Sequence, residues 1–227
     1  MKKTLIGIAL LAVTAACGGS NLSLSVSAGS PSAAAARSLT LANGIVLNRV
    51  RIVVTKVELE LAKTADAGTG DLEEHELKVG PFLIDLSGAT LDSGKPAEVA
   101  SASLPAGTYR EIKFKIHKPQ STESGVPADA ALQAMATAGA SIIVEGTVDN
   151  ASFTFTTPME VQQELEGNFV LGSTSNLTLN VDSSSWFGGA GSARLDPRTA
   201  GNASAIEDNI KRSFKAFRDD NKDGHED

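Results

Sequence analysis

A mainly β fold, an antiparallel β-sandwich with a short inserted helix and a C-terminal amphipathic helix, is what this chain of 227 residues predicts. Three observations carry that prediction. Apolar and polar residues alternate over short runs, most clearly where Ile112, Phe114 and Ile116 interleave with Lys113, Lys115 and His117. Turn-forming pairs such as Asn43-Gly44 and Asp149-Asn150 punctuate the runs. The period changes to that of a helix in only two places, within 127–138 and after Ser204. Seven or more short strands broken by turns suit two packed sheets, and residues 38–190 give ample length for one core.

The elements follow in order. Leu39 and Leu41 alternate ahead of the Asn43-Gly44 turn. In the long run Asn48 to Leu61, Val50, Ile52 and Val54 share one face, whereas Val57, Leu59 and Leu61 continue one residue out of step. A one-residue slip turns every side chain over, so a β-bulge is expected near Thr55-Lys56. Residues 63–80 read as a polar loop, Phe82 to Leu86 as a strand, and Ser87 to Lys95 as turns. A strand follows the Leu104 to Tyr109 turn. Leu132 and Met135 in an alanine-rich stretch stopped by Gly139 mark the short helix. Ile142–Val148, Phe153–Thr157 and Leu177–Val181 are strands, with one or two more in 159–171. Residues 191–218 form a linker and a helix from Ala205 to Arg218. Its apolar face is Ile206, Ile210, Phe214 and Phe217, and Ser204 with Glu207 supplies a capping box. Glu207 with Lys211 and Asp208 with Arg212 add favourable i,i+4 pairs.

The N-terminus gives an address. Lys2 and Lys3 precede a short apolar stretch from Leu5 to Val13 and a small-residue run that ends at Cys17, the only cysteine. Residues 1–17 resemble a bacterial lipoprotein signal, with Thr14 standing where such signals usually carry leucine. That resemblance implies removal of the leader, acylation of Cys17 and attachment to a membrane through lipid. Gly18 follows the cysteine in place of the aspartate that retains lipoproteins at an inner membrane, so the outer membrane is expected in a cell that has two. Residues 18–37 are small and polar, and read as a flexible tether with a reach on the order of 25 Å. The alternation of Leu22, Leu24 and Val26 would suit a first strand instead.

Charge narrows the partners. The precursor carries −7, and removal of Lys2 and Lys3 leaves eighteen basic against twenty-seven acidic residues, or −9. Such a surface argues against nucleic acid. With Cys17 used as the anchor no thiol remains for a disulfide, a metal or a nucleophile.

One constellation could carry chemistry. Residues 219–227 (DDNKDGHED) place Asp219, Asn221 and Asp223 at alternate positions before Gly224. Oxygen ligands so spaced converge on one cation while glycine allows the sharp turn. The carbonyl of His225 and the carboxylate of Asp227 would take the next two places. The stretch looks like the start of an EF-hand-type loop and like the shorter D-x-D-x-D-G-x-x-D loops, so calcium is the expected ion. Catalysis is not expected. His75, His117 and His225 are far apart, Glu73, Glu74 and Glu76 read as a solvated run, and no nucleophile elbow, phosphate loop or His-Glu-x-x-His pair is present. Trp186 beside Phe187 either closes a core or offers a sugar a flat platform.

The segments VRIVVTKVEL, FLIDLSG, SLPAGTYREIKFKI and NLTLNVDSSSWF resemble a family of bacterial surface-lipoprotein domains of uncharacterised function with an Ig-like or transthyretin-like sandwich. The resemblance covers Ser38 to Phe187, and Leu104-Pro105-Ala106-Gly107-Thr108-Tyr109 is its most specific piece. It implies a fold and transfers no catalytic residue. The expected role is a lipid-anchored binding or structural module facing an envelope protein or polysaccharide. An envelope polysaccharide-binding module or hydrolase is the alternative.

Overall fold

The computed structural model describes residues 20–28, 38–41, 43–61, 80–91, 97–104, 107–171 and 174–227. The leader with Cys17 and the cluster Glu73 to Glu76 lie outside the described residues. In chain order the strands are β1 Ser20–Ala28, β2 Leu39–Thr40, β3 Ile45–Leu61, β4 Phe82–Ser87, β5 Ala97–Leu104, β6 Gly107–Ile116, β7 Ile142–Val148, β8 Ala151–Thr157, β9 Val161–Leu171, β10 Thr174–Val181 and β11 Phe214–Arg218. Helix α1, Ala130–Ala138, precedes β7, and α2, Ala203–Arg212, precedes β11.

The strands form two sheets ordered β11-β10-β1-β5 and β8-β7-β3-β6-β9, with β2 and β4 also paired to β3. The mainly β, antiparallel expectation holds, with one exception: β1 runs parallel to β10. Strand β3 organises the larger sheet. Ile52 pairs with Ile84 and Ile142, and Val54 pairs with Phe82 and Ile116. Strand β4 therefore lies along one edge of β3, while β7 and then β6 share the other. The handover coincides with a register break between Val54 and Lys56, the bulge that the change of phase predicts. There the Thr55 hydroxyl donates to the Lys115 carbonyl at 3.1 Å.

The alternation seen in the sequence sorts the core. Ile112, Phe114 and Ile116 are buried, and so are Val50, Ile52, Val54, Val57 and Leu59 on both sides of the bulge. They pack in one cluster with Leu177, Leu179 and Val181 of the smaller sheet and with Trp186 and Phe187. Phe187 meets Phe153 and Phe155 edge-on, with ring centroids 5.7 and 6.4 Å away. A second cluster, Val53, Val126, Leu132, Met135, Ala140 and Ile143, joins α1 to the sheet. Asp129 caps α1 by accepting from the Ala131 and Leu132 amides, and Gly139 ends it in the left-handed region at φ 65°. Between β7 and β8, Asp149 and Asn150 both adopt positive φ, as a two-residue hairpin requires. Arg194 pins that turn through two hydrogen bonds to the Asp149 carboxylate.

Four features depart from the sequence reading. Ser20–Ala28, read as part of a tether, is strand β1, seated between β5, which pairs with Ser20 to Val26 across one register break, and β10, which pairs with Asn21 to Ala28. Ala97–Leu104 is a strand that the sequence reading did not anticipate. The C-terminal helix stops at Arg212, and Phe214–Arg218 is a strand rather than its last turns. The capping box is also absent. The N-cap position falls on Asn202 with no side-chain cap, and the Glu207 carboxylate accepts the Thr157 hydroxyl at 2.7 Å. The helix does bury Ile206 and Ile210, each worth about 1.5–3 kcal/mol of apolar burial. Residues 159–171 supply a single strand, β9.

Candidate functional site

The end of α2 determines where the acidic residues go. Ser213 closes the helix: its hydroxyl donates to the Ile210 carbonyl and receives the Trp186 indole N–H, both at 2.7 Å. The chain then extends, and β11 pairs antiparallel with β10 from Phe214 opposite Val181 to Arg218 opposite Leu177. This register delivers Asp219 beside Asn176, whose carbonyl accepts the Asp219 amide at 3.0 Å.

Strand β10 is buried on both faces. Leu177, Leu179 and Val181 enter the core, and by alternation Asn176 and Thr178 point the other way, yet they are 1% and 0% exposed. A chain of hydrogen bonds covers them. The Ser23 and Ser25 hydroxyls of β1 donate to Asn176 Oδ1, each at 2.8 Å. Asn176 Nδ2 donates to Thr178 Oγ1 at 3.1 Å and to the Asp219 carbonyl at 2.9 Å. Thr178 Oγ1 donates to Asp219 Oδ2 at 2.9 Å. A carboxylate without solvent exposure is costly unless hydrogen-bonded, and Asp219 meets that condition here.

Past Asp219 the chain curls around its carboxylate. Oδ1 accepts the Asp223 amide at 3.0 Å, and Oδ2 accepts the Gly224 amide at 3.1 Å. Asn221 Oδ1 accepts from the Asp223 amide and Asp223 Oδ1 from the His225 amide, at 2.8 and 2.9 Å. Lys222 and Gly224 take positive φ, 57° and 89°, which permits the tight curl. The ninth residue returns to the start of the loop. The Asp227 amide donates to the Arg218 carbonyl at 3.1 Å, and the Asp227 carboxylate accepts from the Asp220 amide and from Asn221 Nδ2. Beside the loop, burial would push the Asp220 carboxyl up, but the ion pair with Arg218 and the Asn176 amide bring it below its usual range.

Of the residues named from sequence, Asp219, Asn221 and Asp223 meet at the Asp223 amide, and Asp227 closes the loop behind them. The His225 side chain is exposed. Among the described residues no group of three or more His, Cys, Asp or Glu side chains is arranged around a common metal position. The carboxylates are turned onto loop amides instead. Each carboxylate offers about four acceptor directions, so Asp219 with three partners and Asp223 with one keep lone pairs that a cation could take.

Trp186 is no platform. It is fully buried, and its indole N–H is spent on Ser213. His117 lies half-buried at the rim of an open polar cleft of about 900 Å³ with Lys118, Gln120, Thr137 and Glu160. Its Nδ1 lies 2.8 Å from the Lys118 carbonyl. The sequence reading missed the polar face of β10. Its only signal was asparagine and threonine between leucines, which looks the same whether water or a folded tail covers it.

Fold and loop together define a two-sheet β domain whose acidic C-terminal loop is fastened to its own smaller sheet. The chain belongs to the family of the domain of unknown function DUF4382, whose model matches residues 42–191. That span takes in β3 to β10 and stops before α2, β11 and the acidic loop. No curated protein and no solved structure matches the chain.

Proposed function

We propose that this protein is a lipid-anchored, extracytoplasmic binding or structural module without a catalytic role, and that calcium acts on its C-terminal loop. The basic, apolar and small-residue sequence ending at Cys17 supports the anchor. Acyl chains on one cysteine are then the attachment, because an acidic domain gains nothing from anionic headgroups. Gly18 favours the outer membrane in a two-membrane cell.

One observation carries the calcium part: five carboxylates, Asp219, Asp220, Asp223, Glu226 and Asp227, occupy a closed nine-residue loop rather than a frayed end. Their mutual repulsion favours a cation. The alternate oxygens, the glycine at the sixth position and the return of the ninth residue suit an oxygen-seeking ion such as calcium. Affinity belongs in the extracellular range, with Kd about 10⁻⁴–10⁻³ M.

The anchor is tested by labelling cells with a palmitate analogue and separating membranes from soluble proteins. Wild type should be labelled and sediment with membranes, and Cys17→Ser should be unlabelled and released. A Cys17→Ser chain that still needs detergent for extraction contradicts the anchor.

A further inference from the structure

Strand β1 begins almost at the start of the segment read as a tether, and this orients the domain. Ser20 already pairs with Leu104, and Asn21 with Thr174. Two residues, Gly18 and Gly19, lie between Cys17 and Ser20, and the three extended steps from one to the other span at most about 11 Å. That is well short of a coil able to lift a domain clear of headgroups. The N-terminal end of β1 is also where β5 hands over to β6, at Leu104 and Gly107, and where β9 hands over to β10, at Leu171 and Thr174. Strand β11 runs toward the same end and delivers the acidic loop there. The opposite end holds Ala28, Val181, Phe214 and, through Arg194, the Asp149-Asn150 turn. Along β1 the two ends are about 26 Å apart.

We infer that the domain stands on this first end, with Ser20, Leu104, Gly107, Leu171 and Thr174 toward the phospholipid surface and the Asp149-Asn150 turn facing away. The inference rests on acylation of Cys17. It fits the position of Val170, the exposed large apolar residue among those described, at 60% exposure and one position from the end of β9. The Arg194 and Arg198 cluster around Asp149 and Asp196 is then the surface offered to partners.

The test uses the acylated chain in phosphatidylethanolamine–phosphatidylglycerol vesicles that carry a headgroup quencher. With Cys17 acylated, a fluorophore is placed on the single thiol of Val170→Cys or of Asn150→Cys. The Val170 label should lose most of its emission and the Asn150 label should keep it. A Gly/Ser spacer inserted between Gly19 and Ser20 should abolish the difference. Equal quenching without the spacer, or stronger quenching at Asn150, in protein that floats with the vesicles overturns the orientation and leaves the anchor standing. Protein that does not float overturns both.

Discussion

The Asp219 carboxylate accepts the Thr178 hydroxyl at 2.9 Å, and neither residue is exposed to solvent. Strand β10 and the C-terminal loop are joined through this pair. Asp219→Ala would leave a buried hydroxyl and two loop amides without their acceptor, so a loss of about 2–3 kcal/mol is expected in urea unfolding. Thr178→Val should cost less. The double variant should lose less than the sum of the two, because the pair is coupled. Additive losses would mean that the loop does not depend on β10.

The tail should let go in acid. Asp220 is held below the usual carboxylate range by Arg218 and the Asn176 amide. A group depressed on folding contributes stability above its unfolded value, about 3.9, and loses it as pH falls through the folded value. Amide exchange at Asn176 and Asp220 should therefore accelerate below about pH 4 while β3 stays protected. Exchange at these amides that is independent of pH, after correction for intrinsic rates, would contradict the arrangement.

Trp186, the single tryptophan, should emit as a buried indole and resist acrylamide. Ser213→Ala removes its hydrogen-bond acceptor and should cost about 1–2 kcal/mol in thermal or urea unfolding. Polysaccharide should leave the emission unmoved, and a shift on sugar addition would contradict the buried position.

Gly146→Ala should be among the most damaging single changes. A Cβ there would lie 2.2 Å from the Val46 carbonyl oxygen and 2.9 Å from the Phe153 ring. Backbone cannot yield as a side chain can, so β3, β7 and β8 would have to separate. A loss of about 3 kcal/mol or more, or failure to accumulate as folded protein, is expected. Wild-type stability would show that the three strands are not packed so closely.

What the sequence disclosed depended on the contrast between the two faces of each element. Strand β6 was legible because isoleucine and phenylalanine alternate with lysine. The phase slip at Thr55-Lys56 was legible because the same alternation resumes one residue late. Strand β5, AEVASASL, is mostly alanine and serine and carries little apolar contrast. Strand β1 reads as tether because its stretch is small and polar and its alternation short, yet Ser25 is fully buried against Asn176. By local pattern the stretch from Phe214 to Arg218 continues the helical spacing of Ile206 and Ile210. The open edge of β10 and the closure at Ser213 make it a strand instead, and both are tertiary. The acidic loop was visible as spacing, whereas its attachment to Asn176 and Thr178 was not.

Calorimetric titration of the chain from Gly18 onward with calcium, beside Asp223→Asn, tests the proposed role of the loop most directly. Asparagine keeps an oxygen for the His225 amide and removes the charge a cation needs, so the loop should stay folded. Saturable binding near millimolar calcium in the wild type, lost in Asp223→Asn, is the expected result. No heat at millimolar calcium, or equal heat in both proteins, would contradict a calcium-responsive loop and leave it a structural fastening of the sheet.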